Sequence, residues 1–130
     1  MELQIFGTKK DSDTRKALRF FSERRVRVHF VDLQERAASL GELKRFAQKF
    51  GAQALIDRTG KRFAERGLGT ALYSDARWLD ILAEDPLLLR VPLARWQHRL
   101  TIGLAEVEWK DWTIAAASGA AVPGRPPATA

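Results

Sequence analysis

Within the first 31 residues the hydrophobic period changes twice, and this limits the available folds more than any other feature of the chain. Leu3-Gln4-Ile5-Phe6 is a short apolar run that stops at Gly7, as a strand does. After polar residues 8–13, Thr14, Ala17, Leu18 and Phe21 recur at helical spacing and predict a helix from about Thr14 to Glu23. Val26, Val28 and Phe30 then alternate with Arg27 and His29 and lead into Val31. That pattern predicts a strand with one face buried and His29 pointing outward. A strand, a helix and a strand in so short a span make a parallel pair joined by a crossover helix.

The rest of the chain extends this unit. Ser39-Leu40-Gly41-Glu42 is a capping box, in which the serine caps and the glutamate reaches back. It opens a helix with Leu43, Phe46, Ala47 and Phe50 on one face and Gly51 as its stop. A mixed stretch through Gly69 is expected to hold a short helix or two. Ser74 caps a helix carrying Trp78, Leu79, Leu82 and Ala83, which ends at Pro86. Leu87-Leu88-Leu89 leads to Val91-Pro92-Leu93, and Arg99-Leu100-Thr101-Ile102 reads as a strand closed by Gly103. Between them, Arg95-Trp96-Gln97-His98 is expected to form a hairpin turn. Ala105, Trp109 and Trp112 share the face of a last helix. The order β-α-β-α…α-β-β-α implies an α/β sandwich around a small mixed sheet. Residues 113–130 are rich in Ala, Pro and Gly and carry one charge, Arg125. They read as a disordered tail after a single domain over residues 1–112.

Composition removes several chemistries. The chain has no cysteine and two histidines, His29 and His98. Disulfides, thiolate metal sites, iron–sulfur clusters and cysteine nucleophiles are therefore excluded, and a histidine-rich metal site is not expected. No cofactor is implied. The net charge of +6 favours acidic partners. The basic run Arg24-Arg25-Val26-Arg27 reads either as a contact for such a partner or as a solvated turn. With no aromatic platform interleaved, direct nucleic-acid binding is not expected. No apolar run approaches the roughly 18 residues of a membrane span. The start Met1-Glu2-Leu3-Gln4 lacks a signal pattern, so a cytoplasmic location is expected and no membrane contact.

Three stretches carry a family resemblance: Ile5 to Leu18; Leu55-Ile56-Asp57-Arg58-Thr59-Gly60 with Phe63; and Asp85 to Leu93, followed by Leu100 to Leu104 and Trp109. Together they resemble the ArsC/Spx family, which includes glutaredoxin-coupled arsenate reductases, Spx transcription regulators and YffB-like proteins. The resemblance spans about residues 2–112. It implies a thioredoxin-like, glutaredoxin-type fold: a small mixed sheet flanked by helices, with a helical insertion between the βαβ and ββα halves. It also places Asp11 where the family has its nucleophilic cysteine, and Val91 where the family has an arginine before a proline, with Arg90 one step earlier. Pro92 resembles the proline that is cis in such folds, and Val91 and Pro92 would border the groove for a peptide or thiol ligand. Arg58 resembles an oxyanion-contacting position, although it also reads as a surface arginine bonded to a carboxylate.

The departures bear directly on function. A carboxylate cannot form the mixed disulfide with glutathione that thiol-dependent arsenate reduction requires. The chain is thus expected to lack that reaction and to act as a non-catalytic protein-binding or regulatory module with a vestigial oxyanion site. Its expected partner is an acidic protein surface, RNA polymerase by analogy with Spx. The alternative is a family enzyme acting on an oxyanion or a glutathione-like ligand by a thiol-independent reaction. The loop before the first helix supplies the candidate anion-binding residues Lys9, Lys10, Ser12, Thr14 and Arg15, joined by Arg58. Three readings of that loop stay open. Asp11, Ser12 or Asp13 is simply the N-cap; Asp11 fills the anion site internally; or the loop holds a small oxyanion. Trp96, at the expected turn beside Arg95 and His98, reads either as a contact residue or as half-buried packing.

Overall fold

The computed structural model describes residues 2–117. Strand β1 (Glu2–Gly7) is followed by helix α1 (Ser12–Glu23) and strand β2 (Arg27–Asp32). Helices α2 (Leu40–Phe50), α3 (Lys61–Glu65) and α4 (Asp75–Glu84) come next, with short 3-10 turns at Ala52–Leu55, Leu68–Thr70 and Pro86–Leu88. Strands β3 (Leu93–Trp96) and β4 (Arg99–Ile102) and helix α5 (Glu106–Ala117) complete it. The four strands lie in the order β2-β1-β3-β4. β1 runs parallel to β2, pairing Ile5 with Phe30, and antiparallel to β3, pairing Phe6 with Leu93. β3 and β4 form an antiparallel hairpin. This is the mixed sheet with a helical insertion that the resemblance implies. No helix among the described residues is long and apolar enough to cross a membrane.

Alternation along the strands builds a core on each side of the sheet. Phe6, Val31, Leu93 and Leu100 pack with α2, α3 and α4 around Leu43, Phe46, Leu55, Trp78 and Leu82. Leu3, Ile5, Ala94 and Trp96 pack with α1 and α5 around Phe21, Trp109 and Trp112. Helix termini follow local chemistry. Ser39 accepts from the Glu42 amide at 3.1 Å while Glu42 accepts from the Ser39 amide at 3.0 Å, completing the expected box. Ser74 accepts from the Arg77 amide and caps α4. At the end of α1, Arg25 adopts a left-handed conformation (φ 59°). The Val26 amide then reaches the Phe21 carbonyl and the Arg25 amide the Ser22 carbonyl. That is the Schellman closure in which glycine is the usual residue.

Four boundaries differ from those read in the sequence. α1 begins at Ser12 rather than Thr14, because Asp11 caps it. β2 begins at Arg27 rather than at Val26, which is taken up in the α1 closure. The expected turn over 95–98 is only Gln97-His98: Arg95 and Trp96 belong to β3, and Trp96 is buried at 4% exposure against Trp112. It is therefore neither a turn-tip contact residue nor half-buried. Finally, α5 continues to Ala117, so residues 113–117 are helical and not part of a tail. The remaining stretch, 118–130, lies outside the described residues.

Candidate functional site

The C-terminal end of β1 delivers the chain into the loop that precedes α1, and the close approach of the two is set by Gly7. A Cβ on Gly7 would sit 2.5 Å from Thr14 Oγ1, so only glycine lets the first turn of α1 rest on the strand end. Thr14 is fully buried there. Its amide donates to Asp11 Oδ2 at 2.7 Å and its hydroxyl to the same oxygen at 2.9 Å. Asp11 thus caps α1, and its carboxylate occupies the helix N-terminus, where free N–H groups and the macrodipole favour negative charge.

Arg15 folds back over the loop while remaining exposed to solvent. Its guanidinium donates to the carbonyls of Lys9 at 3.0 Å and Lys10 at 2.8 Å. Those bonds tie the loop to the first turn of α1, while Lys9, Lys10 and Ser12 stay exposed. Asp13 forms a 4.0 Å ion pair with Lys16, both side chains about half exposed.

Strand register brings the other candidates to the same end of the sheet. Phe6 pairs with Leu93, so the end of β1 and the Val91–Pro92 step that leads into β3 lie at the same end of the sheet. The Val91–Pro92 bond is cis, and the Pro92 carbonyl accepts from the Gly103 amide at 2.8 Å. The segment before it is fastened to the helical insertion. Ile56 and Leu89 form a bridge, the Asp57 amide donates to Leu88, and the Arg90 amide donates to Leu55. Arg90 Nη1 lies 3.5 Å from the Ala54 carbonyl. Arg58 has its own contacts: it donates to the side-chain oxygen of Gln53 and lies 5.6 Å from the ring centres of Phe63 and Trp78. Its partner is thus an amide and two rings, not the carboxylate that a surface arginine was expected to find. Loop 8–15 leaves β1 at the end of the sheet where the Val91–Pro92 step enters β3, whereas Arg58 joins a separate cluster.

Two charged features escaped sequence reasoning. Asp85, 8% exposed, accepts from Arg62 Nε at 2.7 Å and Arg66 Nη1 at 3.1 Å, tying α3 to the end of α4. A second set, Arg45, Lys49, Arg95 and His98, lines a cavity of about 380 Å³ between α2 and the β3–β4 turn. In both, the partners come from distant segments, and no local spacing announces them. Among the described residues no group of three His, Asp or Glu side chains is arranged to hold a metal ion.

A mixed sheet in this order, with a helix after its first strand and a cis-proline before its third, defines a thioredoxin-like domain of the arsenate-reductase type. The family model for ArsC matches residues 6–112, and the chain belongs to the ArsC family. The uncharacterized protein YusI of Bacillus subtilis is 26% identical over 115 residues, covering 85% of this chain and 98% of that one. An arsenate reductase from Vibrio cholerae superposes with a TM-score of 0.74 at 23% identity, covering 85% of this chain and 97% of that one. An arsenate reductase related protein from Brucella melitensis superposes with a TM-score of 0.63 at 18% identity, covering 86% and 94%. These structural likenesses establish the fold.

Proposed function

We propose that this ArsC-family protein works without thiol chemistry, as a binding or regulatory module for an acidic protein surface. The observation that carries the reading is the Asp11 carboxylate seated on the α1 N-terminus of a chain that has no cysteine. An arriving oxyanion would meet that negative charge at close range. Two like charges 4 Å apart repel by about 4 kcal/mol at an effective dielectric of about 20, roughly a thousandfold in affinity. Arg15 keeps its positive charge, but its Nη1 is taken by the Lys9 and Lys10 carbonyls, which leaves fewer donors to aim at an oxyanion. The +6 charge supports long-range attraction to an acidic partner. The Spx resemblance makes RNA polymerase the first partner to try.

The test is an arsenate reductase assay coupled to glutathione and glutaredoxin, with the unaltered chain beside Asp11→Cys. The unaltered chain is expected to give no turnover above background, and turnover would overturn the reading. The exposed Lys9, Lys10 and Ser12 favour one alternative, in which the loop holds phosphate, sulfate or arsenate outside Asp11. A saturable thermal shift beyond that of chloride at matched ionic strength, abolished by Arg15→Ala, would select it.

A further inference from the structure

We propose that the free edge of β4, with the cationic groove beside it, docks an extended acidic segment of a partner protein as an added strand. The proposal rests on the reading above for the class of partner and adds the surface and the mode of contact. β4 ends the sheet order, so one side of its backbone has no strand neighbour among the described residues. The two-residue turn at Gln97-His98 and the Gly103 amide bonded to Pro92 fix which groups face outward. Arg99, Thr101 and Gly103 turn their main-chain groups to β3, and Leu100 and Ile102 turn theirs to the open edge. Lys49 Nζ, 3.4 Å from the Leu100 carbonyl, approaches from that outer side.

The edge opens into a continuous groove. The cavity of about 380 Å³ at the β3–β4 turn and one of about 230 Å³ along β4 share Lys49 and Leu100. Arg45, Lys49, Arg95 and His98 line the first. The ion pairs among the described residues include none of Arg45, Lys49 and Arg95. Glu108 is the acid lining either cavity, and it lies in the one along β4. Leu104 and Phe50, 44% and 37% exposed, give that part of the groove an apolar lining.

This combination favours a peptide over a nucleic acid. Main-chain donors and acceptors along an edge match another strand. Single-stranded nucleic acid asks instead for open ring faces, and Phe50 has the Lys49 ammonium 5.3 Å from its ring centre. Leu100 and Ile102 direct their side chains toward the α2 side of the sheet, where the cations stand. A docked strand would therefore present acids at every second position to that side. The shortness of β4, which limits unwanted pairing, limits the docked strand to about its own four residues.

The experiment is a titration of the full chain, labelled at its amides, with a synthetic peptide alternating Glu and Val. The expected result is a saturable shift centred on the Leu100 and Ile102 amides. Lys49→Glu combined with Arg95→Glu is expected to weaken binding about tenfold, as does a peptide N-methylated on its edge-facing amides, which keeps every charge but loses main-chain donors. The N-methylated arm needs no altered protein, so it decides even if the double variant misfolds. Binding indifferent to N-methylation, shifts centred elsewhere, or tighter binding of an oligouridylate at the same amides would overturn the edge proposal. So would Leu100 and Ile102 amides already protected by residues 118–130. If the peptide binds at another surface, the acidic-partner reading stands alone; if it binds nowhere at low salt, both fall.

Discussion

Replacing Asp11 by alanine removes the side chain that joins the candidate site to the stability of the fold. Loss of an N-cap costs about 1 kcal/mol. Asp11 holds more than a cap bond, because its Oδ2 also accepts from the hydroxyl of the fully buried Thr14. Stranding that hydroxyl adds about 1 kcal/mol, at the low end for a buried polar group, since water can enter the space left by the partly buried cap. The expected cost is therefore about 2 kcal/mol. A domain of this size loses about 4 °C of Tm per kcal/mol, so a calorimetric scan should show a fall of about 8 °C. Asp11→Ser keeps a capping oxygen and should recover about half of that. Thr14→Val removes the hydroxyl alone, and with Asp11→Ala it should cost about 1 kcal/mol less than the two singles added. A fall of under about 1 °C for Asp11→Ala, or strict additivity in the cycle, would refute the argument that this carboxylate satisfies both groups.

Other substitutions test neighbouring features. Gly7→Ala drives a methyl into Thr14 and should cost at least about 2 kcal/mol in urea unfolding, with Thr14→Ser restoring part of it by removing one clashing methyl. Trp109→Phe leaves Thr101 Oγ1 without the indole donor now 2.9 Å away, and should cost about 2 kcal/mol including the lost volume. Asp85→Ala leaves Arg62 and Arg66 unpaired. Because both arginine side chains are more than a third exposed, the loss is expected near 1–2 kcal/mol, below that of a fully buried pair, and should shrink with salt.

The parts of this fold legible in the sequence are those written in short-range pattern. The strand–helix–strand opening and the Ser39–Glu42 box depend on residues two to four apart, and the structure contains both, with the starts of α1 and β2 shifted by one or two residues. Trp96 was misplaced because β3 is covered on both faces, so Leu93, Ala94 and Trp96 give no polar alternation to mark a strand. α5 was cut short because Ile114-Ala115-Ala116-Ala117 resembles low-complexity sequence, although alanine is the best helix former. At the site, the neighbourhood of Asp11 could be placed by resemblance. The choice among its roles could not, because it turns on which groups the Thr14 hydroxyl and the Arg15 guanidinium bond. Arg25 as a left-handed helix stop leaves no mark in a run of arginines, and the Asp85 cluster joins segments about twenty residues apart.

The sheet also sorts the indoles of the chain. Trp78 lies on the α2 side, while Trp96, Trp109 and Trp112 lie on the α1 and α5 side. Intrinsic fluorescence is therefore a one-sided reporter, weighted toward the layer that holds α1 and its cap. A variant carrying Trp78→Phe would emit from that layer alone, and one keeping Trp78 as its single indole would watch the helical insertion. Comparing the two through a denaturant series would tell whether the halves of the domain come apart together or in turn, with no label added.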